Sequence, residues 1–265
     1  MKMQSGFKYI YGPVPSWRLG SSLGVDLLSQ EEKICNFDCI YCQLGPVKKY
    51  TSERKIYVPV KEVIKELGAL PGVNIDYITF SGRGEPTLAA NLGEAIKTVK
   101  SIRKERIAVL TNSSLMGSDA VRNELFLADF VVAKLDAGSA GSLQEINRPA
   151  QGVGFESIFE GIKVFQKNYR GKLALQMMFV DNNKNDVNKL IYLTNYIQPD
   201  EIQVNTPLRP CGIRALIKEE ILKIKDSFIA SCKGINVVSI YDARALKDIV
   251  SLSDEDTLRR RGKIK

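Results

Sequence analysis

Histidine does not occur anywhere in this chain of 265 residues. The commonest general base and the commonest metal ligand are therefore missing together, which argues against triad hydrolysis and the usual mononuclear zinc hydrolases. No apolar run approaches the roughly 20 residues that span a bilayer. The opening Met1-Lys2-Met3-Gln4-Ser5-Gly6 has neither the apolar stretch nor the cleavage site of a signal peptide. The expectation is a soluble, cytoplasmic protein with no membrane partner. Low-complexity linkers and sequence repeats are also lacking, so one domain over 1–265 is expected, with a core at about 20–210 and a C-terminal extension at about 211–265. Acidic residues are the minority, 30 against 38 basic, for a formal charge of +8. That excess suits nucleic acid, and equally a solvated lysine-rich exterior. The basic end at 259–265 reads as a solvated, mobile terminus.

What the chain does have is alternation. Short apolar runs at 23–28, 75–80, 107–111, 130–135, 173–180 and 201–205 read as strands, and helical periodicity fills 60–67, 91–103, 119–127, 155–169 and 187–196 between them. An irregular connection at 208–212 leads to a helix at 218–232 and a short strand at 237–241. Strand and helix in repeated alternation imply an α/β fold with a mostly parallel sheet. Right-handed crossovers wind such a sheet into a doubly wound sheet or a full or partial barrel. Several runs are almost continuously apolar, as in strands covered on both faces. Polar clusters follow the runs, around 81–85, 111–113, Asp136 and 205–207. In α/β folds, ligands bind at that end of the strands.

The five cysteines are unevenly spread: Cys35, Cys39 and Cys42 share one loop after the first run, while Cys211 and Cys232 stand alone. A disulfide framework is out of place in the cytoplasm. Three thiolates on one short loop can converge on a compact soft-metal centre. Structural zinc takes four ligands, so a zinc site would recruit Cys211 or Cys232. A four-iron cubane held by three cysteines leaves one iron open to an external ligand.

The C-x3-C-x2-C loop, with Tyr41 just before the last cysteine, resembles the signature of the radical S-adenosylmethionine (radical SAM) superfamily. The resemblance implies a partial (β/α)6 barrel of the TIM type with N- and C-terminal extensions. It also implies a 4Fe-4S cluster on Cys35, Cys39 and Cys42 whose open iron is chelated by S-adenosylmethionine. One electron then cleaves the sulfonium, giving a 5′-deoxyadenosyl radical that abstracts hydrogen from a substrate. A cubane carrying three thiolates attracts a sulfonium cation, and reducing it needs a low potential. A donor such as flavodoxin or ferredoxin is implied as a partner. Further matches run from position 9 to about 215. They include Tyr11-Gly12-Pro13, Ser22-Leu23-Gly24-Val25-Asp26, Cys42-Gln43-Leu44-Gly45, Asn147-Arg148-Pro149 and Asn205-Thr206-Pro207. These resemble the wyosine-synthase-like group of Fe-S oxidoreductases. Unlike wyosine synthases proper, this chain has no cysteine before Cys35, and Trp17 stands where that group has arginine.

Within this resemblance, Gly82, Gly84 and Glu85 look like the superfamily's Gly-Gly-Glu element, with Arg83 in place of its first glycine, and Tyr41 lies near the adenine. Asn112, Ser113, Lys134, Asp136 and Asn205 are the remaining cofactor candidates, reaching the ribose hydroxyls and the methionine carboxylate. Helix capping and turn formation are the competing roles for the 111–119 segment. Arg148, Gln176 and Cys211 are the catalytic or substrate-facing candidates, with Gln203 a possible barrel-lining amide. The sequence does not identify the substrate; an RNA base, as in tRNA, and a protein are the two candidates. A glycyl-radical-enzyme activase is the second branch, and a zinc-stabilised RNA-binding protein without catalysis is the alternative of another class.

Overall fold

The computed structural model describes residues 6–242 and 249–263. Its strands are β1 (Ile10–Ser16), β2 (Gly20–Val25), β3 (Tyr77–Phe80), β4 (Arg106–Thr111), β5 (Phe130–Lys134), β6 (Lys172–Met178), β7 (Glu201–Asn205) and β8 (Asn236–Ser239). Its helices are α1 (Val60–Gly68), α2 (Leu92–Ile102), α3 (Asp119–Leu125), α4 (Ala140–Ile146), α5 (Phe155–Asn168), α6 (Val187–Ile197), α7 (Lys218–Ser231) and α8 (Glu255–Arg260). The strands lie side by side in chain order. β1 is antiparallel to β2, and every later pairing is parallel. The sheet is open: β2 to β7 make the expected partial (β/α)6 barrel, widened by β1 at one edge and β8 at the other.

The apolar runs divide by face. Along β4, Ile107 and Val109 point to the helices and join the main core with Ile78, Phe80, Val131 and Leu175. The intervening Ala108 packs with Phe130, Val132, Ala174 and Leu19 in a small separate cluster on the concave side. Toward the strand ends, that concave face turns polar: Gln176 and Gln203, paired across β6 and β7, are buried there. Helices thus cover one face only. The expectation of two apolar faces gives way to an outer core and an inner face with room for polar groups.

Three elements escape the sequence pattern. β1 contains Gly12, Pro13 and Pro15, which break strand periodicity, yet an edge strand tolerates proline because one row of its amides needs no partner. The carboxylate of Glu66 on α1 accepts the amides of Lys8, Tyr9 and Ile10 and fixes the entry to β1. α4 is seven residues long and contains Gly141 and Ser142; it is nucleated by a capping box between Ser139 and Ser142. α8 starts at Asp254, whose side chain accepts from the Thr257 amide at 2.6 Å.

The basic C-terminus is the main correction. Residues 264 and 265 lie outside the described residues, but Arg261 is only 3% exposed rather than solvated. Its Nη2 donates to the carbonyl of Lys8 and to Ser29 Oγ, and its Nε lies 3.4 Å from Asp26 Oδ2. The tail is tied to β1 by the Leu252 amide on the Gly12 carbonyl and by Ser253 Oγ on the Gly12 amide. Among the described residues, no helix is long and apolar enough to cross a membrane.

Lys263 follows into the same surroundings. Burial, then repulsion from Arg209, Arg18 and Arg261, pushes its ammonium down from 10.5 to about 7. Between those values the unfolded chain holds a proton that the folded one has lost, so this residue makes stability rise with pH from about 7 towards 10.5. Lys263→Met removes that slope. Its urea midpoint should exceed the wild-type midpoint most near pH 7, and the difference should shrink towards pH 9. A pH-independent difference would show that Lys263 is ordinarily solvated.

Candidate functional site

The long connection between β2 and α1 carries all three clustered cysteines, and it has no regular structure of its own to hold it. Two neighbouring loops hold it instead. On one side, the Ile34 amide donates to the Arg83 carbonyl at 3.0 Å and the Glu85 amide donates to the Ile34 carbonyl at 3.0 Å. Gly84 makes this possible: a Cβ there would stand 1.7 Å from the Ile34 carbonyl oxygen. On the other side, the amides of Asp38 and Ile40 donate to Asn147 and Ile146, and Ala150 donates to Asn36. The loop is stretched between the end of β3 and the α4–α5 connection.

Each thiol so placed meets N–H donors. The Phe37 amide lies 3.4 Å and Asn112 Nδ2 3.8 Å from Cys35 Sγ. Asn147 Nδ2 lies 3.4 Å from Cys39 Sγ, and Lys33 Nζ 3.1 Å from Cys42 Sγ. Lys33 is 8% exposed; burial alone would lower its pKa, but the three surrounding sulfurs together raise it. Burial, then the neighbouring Cys39, pushes the Cys35 thiol up to about 12. Burial, then Asp136, pushes Cys39 up to about 11. None of the five cysteines is in a disulfide. Among the described residues, no three His, Cys, Asp or Glu side chains are grouped so as to hold a metal ion by themselves.

Two buried carboxylates organise the rest. Glu85 Oε1 accepts from the Thr87 amide and hydroxyl and from Thr111 Oγ1, and its Oε2 accepts the Asn112 amide at 2.6 Å. It thereby locks the end of β3 to the end of β4. Asn112 also reaches Asn36 Oδ1 at 2.9 Å, and Asn36 in turn bonds Ser114. Ser113 sits between them at φ 68°, with its Oγ buried and unpartnered. Asp136 accepts the Tyr41 hydroxyl, Asn147 Nδ2 and the Met178 amide, and it pairs with Lys134 at 3.2 Å. Lys134 Nζ lies 5.0 Å from the Tyr41 ring centroid. Burial, then Asp136, drives the Tyr41 hydroxyl well above its ordinary pKa.

The structure thus brings together Cys35, Cys39, Cys42, Tyr41, Gly84, Glu85, Asn112, Ser113, Lys134 and Asp136. Gly82 lies against Asp26, whose carboxyl group a Cβ at that position would strike. Asn205 is buried at the end of β7, its side chain accepting the Thr206 amide. Gln176 donates to Gln203 at 3.2 Å and Gln203 to Glu201 at 2.8 Å, an amide chain on the concave face. Cys211 packs in the apolar patch of Tyr41, Ile146 and Val180 that Cys39 also borders, while its thiol donates to the Ile213 carbonyl. Arg148 is exposed and lines a surface cleft with Tyr50 and Gln151, while its carbonyl accepts the Asp38 amide of the cysteine loop at 3.2 Å. Cys232 is buried in the main core. Ser118 precedes α3 without a side-chain capping bond. Lys33, Asn36 and Ser114 escape sequence reasoning. Asn36 and Lys33 sit within two residues of a cysteine, but nothing in their spacing marks them.

An open parallel barrel whose first βα loop presents three cysteines beside a Gly-x-Gly-Glu turn defines a class of protein. The Radical SAM superfamily profile matches residues 33–192. The UPF0026 protein slr1464 of Synechocystis is 41% identical over 209 residues, covering 78% of each chain. The UPF0026 protein MJ1312 of Methanocaldococcus jannaschii is 36% identical over 270 residues, covering 94% of this chain and 83% of its own. Among solved structures, Streptococcus suis SuiB bound to S-adenosylmethionine is similar in fold, with a TM-score of 0.60 at 13% identity, over 78% of this chain and 48% of that one. The chain belongs to the radical SAM superfamily, within the UPF0026 family of those two relatives. Radical SAM enzymes use S-adenosylmethionine and an iron–sulfur centre and need a reductant.

The pinning of the loop has a direct test. Gly84→Ala forces the Ile34 carbonyl away and should lower stability by about 2 kcal/mol, with cluster iron lost in parallel on reconstitution. An unchanged melting temperature and full iron loading would show that the contact at Ile34 is dispensable.

Proposed function

We propose that Cys35, Cys39 and Cys42 hold a 4Fe-4S cluster and that the adjoining pocket binds S-adenosylmethionine for hydrogen abstraction from a substrate. The observation that carries this reading is the set of N–H groups aimed at the three sulfurs. Such bonds stabilise thiolate ligands and tune iron–sulfur potentials. When bound, the cluster and S-adenosylmethionine supply one-electron reductive cleavage of the sulfonium and a hydrogen-abstracting radical.

The protein's own part is to hold and orient. Lys33 offsets the negative charge of the sulfurs from the protein side. Tyr41, fixed by Asp136 and Asn147, holds the last turn of the cysteine loop. Ser113 Oγ, buried, unpartnered and held at a positive φ, is the kind of incomplete polar group that a bound ligand satisfies. Glu85 Oε2 has one protein donor and keeps acceptor capacity for an ammonium group. With Gly82, Gly84, Asn112, Lys134, Asp136 and Asn205, these residues form the cofactor wall. With no histidine, proton transfer falls to carboxylate, tyrosine, lysine, cysteine or water. A low-potential flavodoxin or ferredoxin in the cytoplasm serves as electron donor.

Anaerobic reconstitution tests the assignment. The wild type should bind about four iron and four sulfide per chain and release 5′-deoxyadenosine under dithionite. Cys35→Ala, Cys39→Ala and Cys42→Ala should each lose the brown colour and the cleavage. Stoichiometric zinc in place of iron, or a full cubane retained in any of the three variants, would overturn it. Deuterium delivered to 5′-deoxyadenosine from labelled tRNA would identify base modification, and from a glycine backbone a glycyl-radical activase.

A further inference from the structure

On the concave side of the sheet, cations come within electrostatic reach of one another from three distant parts of the chain. Arg209 comes from the β7–α7 connection and Arg261 and Lys263 from the C-terminal tail, while Arg18 reaches in from the β1–β2 turn, at the N-terminal ends of the parallel strands. Direct contacts tie Arg209 and the tail to the cysteine loop and to the end of β3. Arg209 Nη1 lies 3.2 Å from Gln43 Oε1, directly after Cys42, and donates to the Gly262 carbonyl at 2.7 Å. The Tyr11 ring carries Arg261 at 4.9 Å and Lys263 at 5.7 Å, and its hydroxyl lies 2.8 Å from Ser81 Oγ, next to Gly82.

The acids present are already engaged. Asp26 faces Arg261, and Glu201 is taken by Lys172 at 2.7 Å and Asn236 at 3.0 Å. Arg18 has its Nε buried without a hydrogen-bond partner and lies over the Trp17 ring, 4.9 Å from its centroid. The Lys263 ammonium makes no hydrogen bond or ion pair among the described residues. Burial, and then mutual repulsion, holds Arg18 down to about 10 and Lys263 to about 7. A fold gains nothing from unpaired, partly desolvated cations held in one place; the missing component is negative.

We propose that Arg18, Arg209 and Lys263 form an oxyanion-binding site inside the barrel, which holds a phosphate or carboxylate group of the substrate on the concave face. The site rests on the radical SAM reading only in calling its ligand a substrate; anion binding itself stands on the cations. Guanidinium groups bind such oxyanions by charge-assisted, often paired hydrogen bonds. Arg209, exposed and tethered to Gln43, is the outermost of the three, and the C-terminal tail completes the site.

The single tryptophan of the chain, Trp17, lies under Arg18 and reports on it. Reconstituted holoenzyme is titrated with inorganic phosphate and, separately, with malonate, at constant ionic strength, reading Trp17 emission and calorimetric heat. The expected result is saturable one-site binding, weakened about tenfold or more in Arg18→Gln and in Lys263→Gln. Arg18→Lys should recover part of it, and Lys97→Gln, at an exposed lysine on α2, should change nothing. Circular dichroism and iron content confirm that each variant is folded. Tighter phosphate binding marks a phosphate-bearing substrate, and tighter malonate binding a carboxylate; either supports the site. A linear, non-saturating response, or equal affinities in wild type, Arg18→Gln and Lys263→Gln, overturns it. If wild type cleaves S-adenosylmethionine while showing no saturation, the anion site falls and the enzyme reading stands. Saturable binding by a chain that takes up no iron upholds the anion site and removes the enzyme reading.

Discussion

The arrangement depends on backbone hydrogen bonds that stretch an otherwise irregular loop between two strand-end connections. Ile34 pairs with the 83–85 turn on one side, and residues 36–40 pair with 146–150 on the other. A loop of more than thirty residues between β2 and α1 would ordinarily be free to vary. Here its sulfurs are placed by the same rigid sheet that places Glu85, Asn112 and Asp136. Orientation comes from the scaffold, and the loop only has to supply the thiols.

Around that frame, each buried polar group has a definite task. Glu85 and Asp136 are each surrounded by several donors, so both act as struts between neighbouring strand ends as well as candidate cofactor contacts. Such hubs are rigid because removing any one member leaves the others buried and unpaired. Among the described residues, Arg18 Nε, Asn91 Oδ1, Ser113 Oγ and Arg261 Nε are buried without a hydrogen-bond partner, and of these Arg261 Nε still faces Asp26. Exceptions of that kind concentrate where something else is meant to bind. Two of them bracket the concave face, Ser113 at the end of β4 beside the cysteine loop and Arg18 at the β1–β2 turn, at the opposite end of the strands.

The open edge of the sheet gives the C-terminal tail its place. A closed barrel would bury β1 and β8 against each other. This one leaves β1 accessible along its length, and residues 252–263 run against it. The tail therefore contributes to the interior, bringing Arg261 onto Tyr11 and Asp26.

The amino-acid pattern alone determined the βα alternation and the cysteine trio, because these are local: a period of two or 3.6 residues, or a spacing within eight; the order of the strands in the sheet is tertiary. Helices such as α5 and α6 were legible to within two residues for that reason. Only the tertiary structure decided what depends on distant partners. β1 is a strand despite Pro13 and Pro15 because β2 offers it an edge. Lys33 and Asn36 matter because sulfur and Asn112 lie beside them. Arg261 is buried although the run around it is basic, because Asp26, Tyr11 and the Lys8 carbonyl meet it there. Local periodicity records which face a side chain takes, whereas the free energy of a buried charge is set by groups that sequence separation hides.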